Sequence, residues 1–169
     1  LVILEVRYHP HRHYTVGHFF GAVQVHRFAD LGANDEMPIM RFPSRAAFEA
    51  TLRRWGINDD STVVVYDDSS TALASRVLFL LDLYGFDMKR VKLLDGGTIA
   101  WTGFNELTKT PTAKRAPGKV TLKSAPARGL VGWTDVYRNA VATRDPQITL
   151  LDARPADMYE GSRIQHSVQ

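Results

Sequence analysis

Thr62-Val63-Val64-Val65-Tyr66, followed at once by Asp67-Asp68-Ser69-Ser70-Thr71-Ala72, is the stretch that decides the fold. Four consecutive β-branched residues with no polar alternation predict a strand covered on both faces. The polar turn behind it is rich in helix-capping residues, and Leu73, Val77, Leu80, Leu81 and Tyr84 then recur at helical spacing before Gly85. Working outward, Val2-Ile3-Leu4-Glu5-Val6 reads as a second buried strand and Val23 to Val25 as a short one. Ser44 caps a helix whose apolar face is Phe48, Leu52 and Trp55, with Gly56 as its stop. Residues 90–94 read as another buried strand, Asp95-Gly96-Gly97 as a tight turn, and a short helix carries Ile99 and Trp101. Strands and helices alternating over short connections predict an α/β fold with a mostly parallel, doubly covered sheet.

Composition narrows the chemistry. The chain has no cysteine, so it can supply no disulfide, thiolate metal ligand or thiol nucleophile. A net charge of +3 is too small to suggest a nucleic-acid partner. No apolar run reaches the length of a membrane span, and no secretory leader is visible, which together lead to an expected cytoplasmic location. The sequence opens inside a strand without an initiator Met, so an upstream portion is expected.

The sequence also repeats. Leu4-Glu5-Val6-Arg7 returns as Leu151-Asp152-Ala153-Arg154, 147 residues on, and both runs are followed by an aromatic and a glycine (Tyr14 and Gly17, Tyr159 and Gly161). A repeat this long implies a duplicated domain. The organisation expected is a domain over 1–104, a Pro-, Thr- and Lys-rich linker over 105–130, and the beginning of a second copy over 131–169. Within these, 119–123 reads as an extended strand, Thr134 as the cap of a helix to Ala142, and 148–152 as the first strand of the second copy.

Several short motifs in order resemble the rhodanese family. Gly17-His18-Phe19-Phe20-Gly21-Ala22 resembles its Gly-His-Ile-Pro-Gly-Ala segment, Glu5-Val6-Arg7 its Asp-x-Arg, and Leu94-Asp95-Gly96-Gly97 with Trp101 its Leu-Asp-Gly-Gly…Trp signature. Asp152-Ala153-Arg154 with Tyr159-Glu160-Gly161 resembles the opening of a second such domain. The resemblance implies a five-stranded, mostly parallel sheet and a tandem-domain sulfurtransferase of the thiosulfate or 3-mercaptopyruvate type. In that chemistry a cysteine at the end of the central strand takes a sulfane sulfur from a small anionic donor as a persulfide. It then passes the sulfur to a thiophilic acceptor such as cyanide or a thiol. No cofactor or metal is implied.

By the same resemblance, Asp67 stands where an active copy has its cysteine, so this copy is expected to be inert alone. Asp67, Asp68, Ser69, Ser70, Thr71 and Ala72 form a pseudo-active loop. In it Asp67 or Ser69 fills the anion cradle and caps the following helix, or the loop keeps a vestigial anion site. His18, Arg76, Asp152 and Arg154 are candidate cleft or structural residues. His18 is expected to pin a loop, and Arg76 to pair with an acid such as Asp95 or to reach an interdomain cleft. Met158 stands where the family's catalytic copy often has a substrate-holding Arg, which leaves donor choice open. His9, His11 and His13 read as an exposed loop, with metal binding as the sharper alternative. The rival readings are a catalytically dead interaction or sensing module, and a phosphatase with a related fold and a longer cysteine loop.

Overall fold

The structure is a computed structural model that describes residues 1–33, 41–123 and 129–161. The chain divides into two compact units, Leu1–Pro126 and Ala127–Gln169. In the first, β1 (Val2–Val6), β2 (Val23–Val25), β3 (Val63–Asp67) and β4 (Val91–Leu93) form one all-parallel sheet in the order β2-β1-β3-β4. Leu4 of β1 sits opposite Val23 on one side and Val65 on the other, and Val63 opposite Val91.

Alternation along the strands builds two layers. Val2, Leu4 and Val6 of β1 and Val63 and Val65 of β3 face α2 (Arg45–Arg54) and α3 (Ala72–Leu83) in the main core, which includes Phe48, Leu52, Trp55, Val77, Leu80 and Leu81. On the opposite face Ile3 and Tyr66 pack with Phe19, Ala22, Leu94, Leu107 and Trp101. That layer is carried by the segment after α1 (Arg12–Thr15) and by α4 (Gly97–Thr102). Ser44 caps α2, its side chain accepting from the Ala47 amide at 3.2 Å. Helices therefore cover both faces, and a near-continuous apolar β3 follows from having no wet side.

The described residues form four strands, where the motifs imply five. Residues 119–123 are the nearest to a fifth, and Val120 and Leu122 are buried in the main core. Their backbone meets side chains instead of a neighbouring strand. The amides of Lys119, Thr121 and Leu122 donate to Asn58 Oδ1, Asp59 Oδ1 and Glu49 Oε2 at 2.7–2.9 Å, and Arg53 Nε donates to the Val120 carbonyl at 2.9 Å. Gly118 makes this possible, because a Cβ there would lie 1.9 Å from the Ile57 carbonyl oxygen. Gly118→Ala is expected to lower stability by about 1–3 kcal/mol through overpacking against backbone that cannot yield. Urea denaturation checks this, a loss under ~0.5 kcal/mol being contrary.

Two further expectations are corrected in this unit. The strand expected over 90–94 shrinks to Val91–Leu93 and is an edge, with only Val91 buried, because no described strand lies beyond it. His13 is not exposed but 1% accessible, against Glu5 near the carboxyl end of β1.

The second unit has α5 (Trp133–Val136), a π-helical turn over Tyr137–Ala142 and α6 (Ala156–Tyr159). Gly132 occupies the cap position before α5, and no side chain caps it, so Thr134 does not have the expected role. Residues 148–152 are not a strand. Leu151 is 90% exposed, and no described strand lies beside it to supply a ladder. None of the described helices is long and apolar enough to cross a membrane.

Candidate functional site

The candidate site lies at the carboxyl end of β3, where the sheet delivers its polar loop into α3. Asp67 is 1% exposed, and its carboxylate points back into the loop it begins. Oδ1 accepts from the amides of Ser69 and Thr71 at 3.0 and 2.9 Å. Oδ2 accepts from Leu73 and Ala74 at 2.8 and 2.9 Å. Four amide donors thus converge on one anion, two of them from the first turn of α3, where the helix dipole adds to the attraction. Thr71 holds the cap position but makes no side-chain cap bond, so Asp67 caps the helix from four residues upstream. The wrap is tight enough to hold Ser70 and Thr71 at φ 52° and 69°. Left-handed backbone at a β-branched threonine costs about 1–3 kcal/mol, offset here by the carboxylate's bonds.

The loop is clamped from outside as well. Thr98 Oγ1 donates to the Asp67 carbonyl at 3.1 Å. Gly97, at φ 51°, lies so close that a Cβ would stand 2.4 Å from the same oxygen. The Leu94-Asp95-Gly96-Gly97 run is therefore a close-approach device against the end of β3, not a nucleotide turn. Asp68 ties the loop to β1, its Oδ1 accepting from the Tyr8 amide at 3.0 Å and Oδ2 from Arg7 at 3.5 Å. Ser69 Oγ donates to Asp68, while Ala72 opens α3.

Beneath the loop runs a buried charged network that the sequence reading did not assemble. Glu5 is fully buried on the face of β1 toward Tyr66, and Arg7, two residues on and on the same face, is 2% exposed. Arg7 pairs with Glu5 Oε1 at 2.9 Å, and the Tyr66 hydroxyl donates to the same oxygen at 2.8 Å. His13 Nδ1 meets Oε2. An ionised carboxylate can only accept, so that proton sits on His13 Nδ1. Burial alone would raise the Glu5 carboxyl's pKa, yet the bonds from His13, Arg7 and Tyr66, with Arg7's charge, hold it below its ordinary value. Burial first, and the Glu5 charge second, push the Tyr66 hydroxyl far above the usual tyrosine range, so it stays a protonated donor. Tyr66 in turn accepts from the Phe19 amide at 3.0 Å and stacks on the Phe19 ring at 3.8 Å. The motif pair Glu5-x-Arg7 was the available signal, since i and i+2 share a strand face; the arrival of His13 was not written in any local pattern.

The remaining candidates fall in three places. His18 is fully buried, stacks on His13 at 3.8 Å, bonds the His13 carbonyl through Nδ1 at 2.9 Å and exchanges backbone bonds with Thr108. Arg76 does not meet Asp95. Its Nε and Nη2 donate to the Leu31 carbonyl at 3.2 and 2.9 Å, over the Phe42 ring, because its place on α3 turns it toward that loop. Asp152 and Arg154 belong to the second unit, where they pair with each other at 2.6 Å. Hydrogen bonding from Arg154 lowers the Asp152 pKa, and the same pair raises Arg154's. Among the described residues no three His, Asp or Glu side chains gather as a metal site, and His9 and His11 are exposed with ring centres 5.6 Å apart.

Comparison with known proteins agrees with this fold. The model of the rhodanese-like domain matches residues 1–103. SseB of Mycobacterium tuberculosis is 33% identical over 94% of this chain and 57% of its own length. The thiosulfate sulfurtransferase of Corynebacterium glutamicum is 42% identical over 52% of this chain and 28% of that protein. The chain thus spans less than two thirds of the relatives it matches. Among solved structures, SseA from Escherichia coli, a 3-mercaptopyruvate sulfotransferase of rhodanese fold, superposes with a TM-score of 0.77 at 24% identity, covering 94% of this chain and 61% of SseA. That likeness carries the fold.

Proposed function

The chain belongs to the rhodanese-like domain family, and from that premise we propose that it supplies the non-catalytic copy of a tandem-domain sulfurtransferase. Residues 1–104 are that copy, 105–130 the linker, and 131–169 the beginning of the copy that would carry the persulfide cysteine. The supporting observation is the Asp67 carboxylate seated among four amide donors, where the chemistry needs a sulfur. A carboxylate has no sulfur to attack a sulfane bond and cannot hold a persulfide, while its charge keeps the donors of the loop occupied. The paired motifs support the duplication: Glu5 with Arg7 and Asp152 with Arg154 are both acid–Arg pairs two residues apart, at 2.9 and 2.6 Å. In the whole protein the sulfur comes from thiosulfate or 3-mercaptopyruvate and leaves to cyanide or a thiol.

The test is direct. Incubated with thiosulfate and cyanide, this chain is expected to yield no thiocyanate above the enzyme-free blank. Saturable turnover by the purified chain would remove the assignment of Asp67 as an inert occupant.

A further inference from the structure

Away from the Asp67 loop, a cavity of about 420 Å³ lies along the outer strand β2, walled by the end of α2 and by residues 112–115. Its size is that of a small-molecule site. Its charge is one-sided. Asp30 is the acid among the described lining residues, and it is already engaged, by the Arg54 guanidinium and by the His26 amide at 2.8 Å. Lys114 and Arg115 also line the cavity, and no carboxylate among the described residues lies within ion-pair distance of either; Arg115 donates only to the neutral Leu1 carbonyl, at 3.1 Å. Independently, Trp55, which is 2% exposed and lines the same cavity, has an indole N–H buried with no acceptor. A buried donor without an acceptor and two cations without a counter-charge, in the lining of one cavity, are the complement of an oxyanion.

We propose that this cavity binds a tetrahedral oxyanion of charge −2, free or carried on a small organic body, held by Lys114 and Arg115 with Trp55 as a further donor. The volume exceeds what a bare ion fills, which favours the carried form. The site is separate from the Asp67 cradle, and the proposal stands whether or not that loop is inert.

The probes are inorganic phosphate and phenyl phosphate, titrated into the intact chain at constant ionic strength and followed by the indole N–H resonances. Trp55 alone of the three tryptophans lines the cavity, so its resonance is expected to shift saturably while those of Trp101 and Trp133 stay. Lys114→Glu, at an exposed position, and Arg115→Ala are each expected to weaken binding about tenfold or more, with Lys92→Ala on the opposite edge strand as the unchanged control. Tighter binding of phenyl phosphate supports the carried oxyanion, and equal affinities support the free ion. No saturation by either probe, or affinities unaltered by both cavity variants, overturns the site.

Discussion

Glu5→Gln is expected to lower the unfolding free energy by about 3–5 kcal/mol, because it takes the nearer of two counter-charges from a buried guanidinium. Arg7 is 2% exposed and its Nε already lacks a partner; the glutamine would leave its guanidinium with the Gly17 carbonyl and the Asp68 carboxylate at 3.5 Å, without the closer Glu5 carboxylate at 2.9 Å. His13 and the Tyr66 hydroxyl would lose their anionic acceptor at the same time. The double variant Glu5→Gln/Arg7→Met is expected to be less harmful than the sum of the two single changes, since removing both charges leaves neither unpaired. The sign of the pH effect follows from the depressed Glu5 pKa. A carboxyl held below its unfolded value contributes stability above that value, about 4.3, and the contribution fades as the pH falls through the folded one. Wild-type stability should therefore drop in that acid range, and Glu5→Gln should flatten the drop. Guanidinium titrations at several pH values check both parts. A Glu5→Gln cost under ~1 kcal/mol would mean that the network adds little.

What could be read in the sequence was whatever is local in the chain. The unbroken apolar run 62–66, the capping turn behind it and the helical spacing from Leu73 identify the β3–loop–α3 unit, and Ser44 and Gly56 bracket α2. The parts that failed depend on partners distant in sequence. The same β-rich pattern that makes β3 a central strand leaves 148–152 without a strand, because pairing is a property of two segments and the described residues hold no mate for it. Residues 119–123 alternate like a strand, yet Asn58, Asp59 and Glu49 satisfy their amides first. The site shows the same division. The acid at position 67 and its capping neighbours are contiguous. By contrast, the bonds from Arg76 to Leu31 and from His13 to Glu5 join side chains to elements that only folding brings near. Short spacing alone could place Arg76 on α3, but not choose between Asp95 and the loop before α2.

Asp67→Ala is the second large loss expected, about 3 kcal/mol, and it falls on four identifiable amides. Removing the carboxylate leaves the N–H groups of Ser69, Thr71, Leu73 and Ala74 without an acceptor and releases the left-handed backbone at Ser70 and Thr71. Water can reach part of the loop, which keeps the cost below four full desolvation penalties. Amide exchange at those four positions should quicken far more than at the centre of α3. Asp67→Asn should recover only part of the loss, since its amide NH2 would turn toward two N–H donors. Asp67→Cys tests the cradle itself. A thiolate restores an anionic acceptor, and the outer sulfur of a persulfide stands two bonds beyond Cβ, as the carboxylate oxygens do. The variant should therefore fold better than Asp67→Ala. Turnover of thiosulfate and cyanide should nonetheless stay at trace level, because residues 67–72 contain no cation to hold a dianionic donor. Sustained turnover, with the persulfide seen by mass spectrometry, would show that Asp67 alone keeps this copy silent.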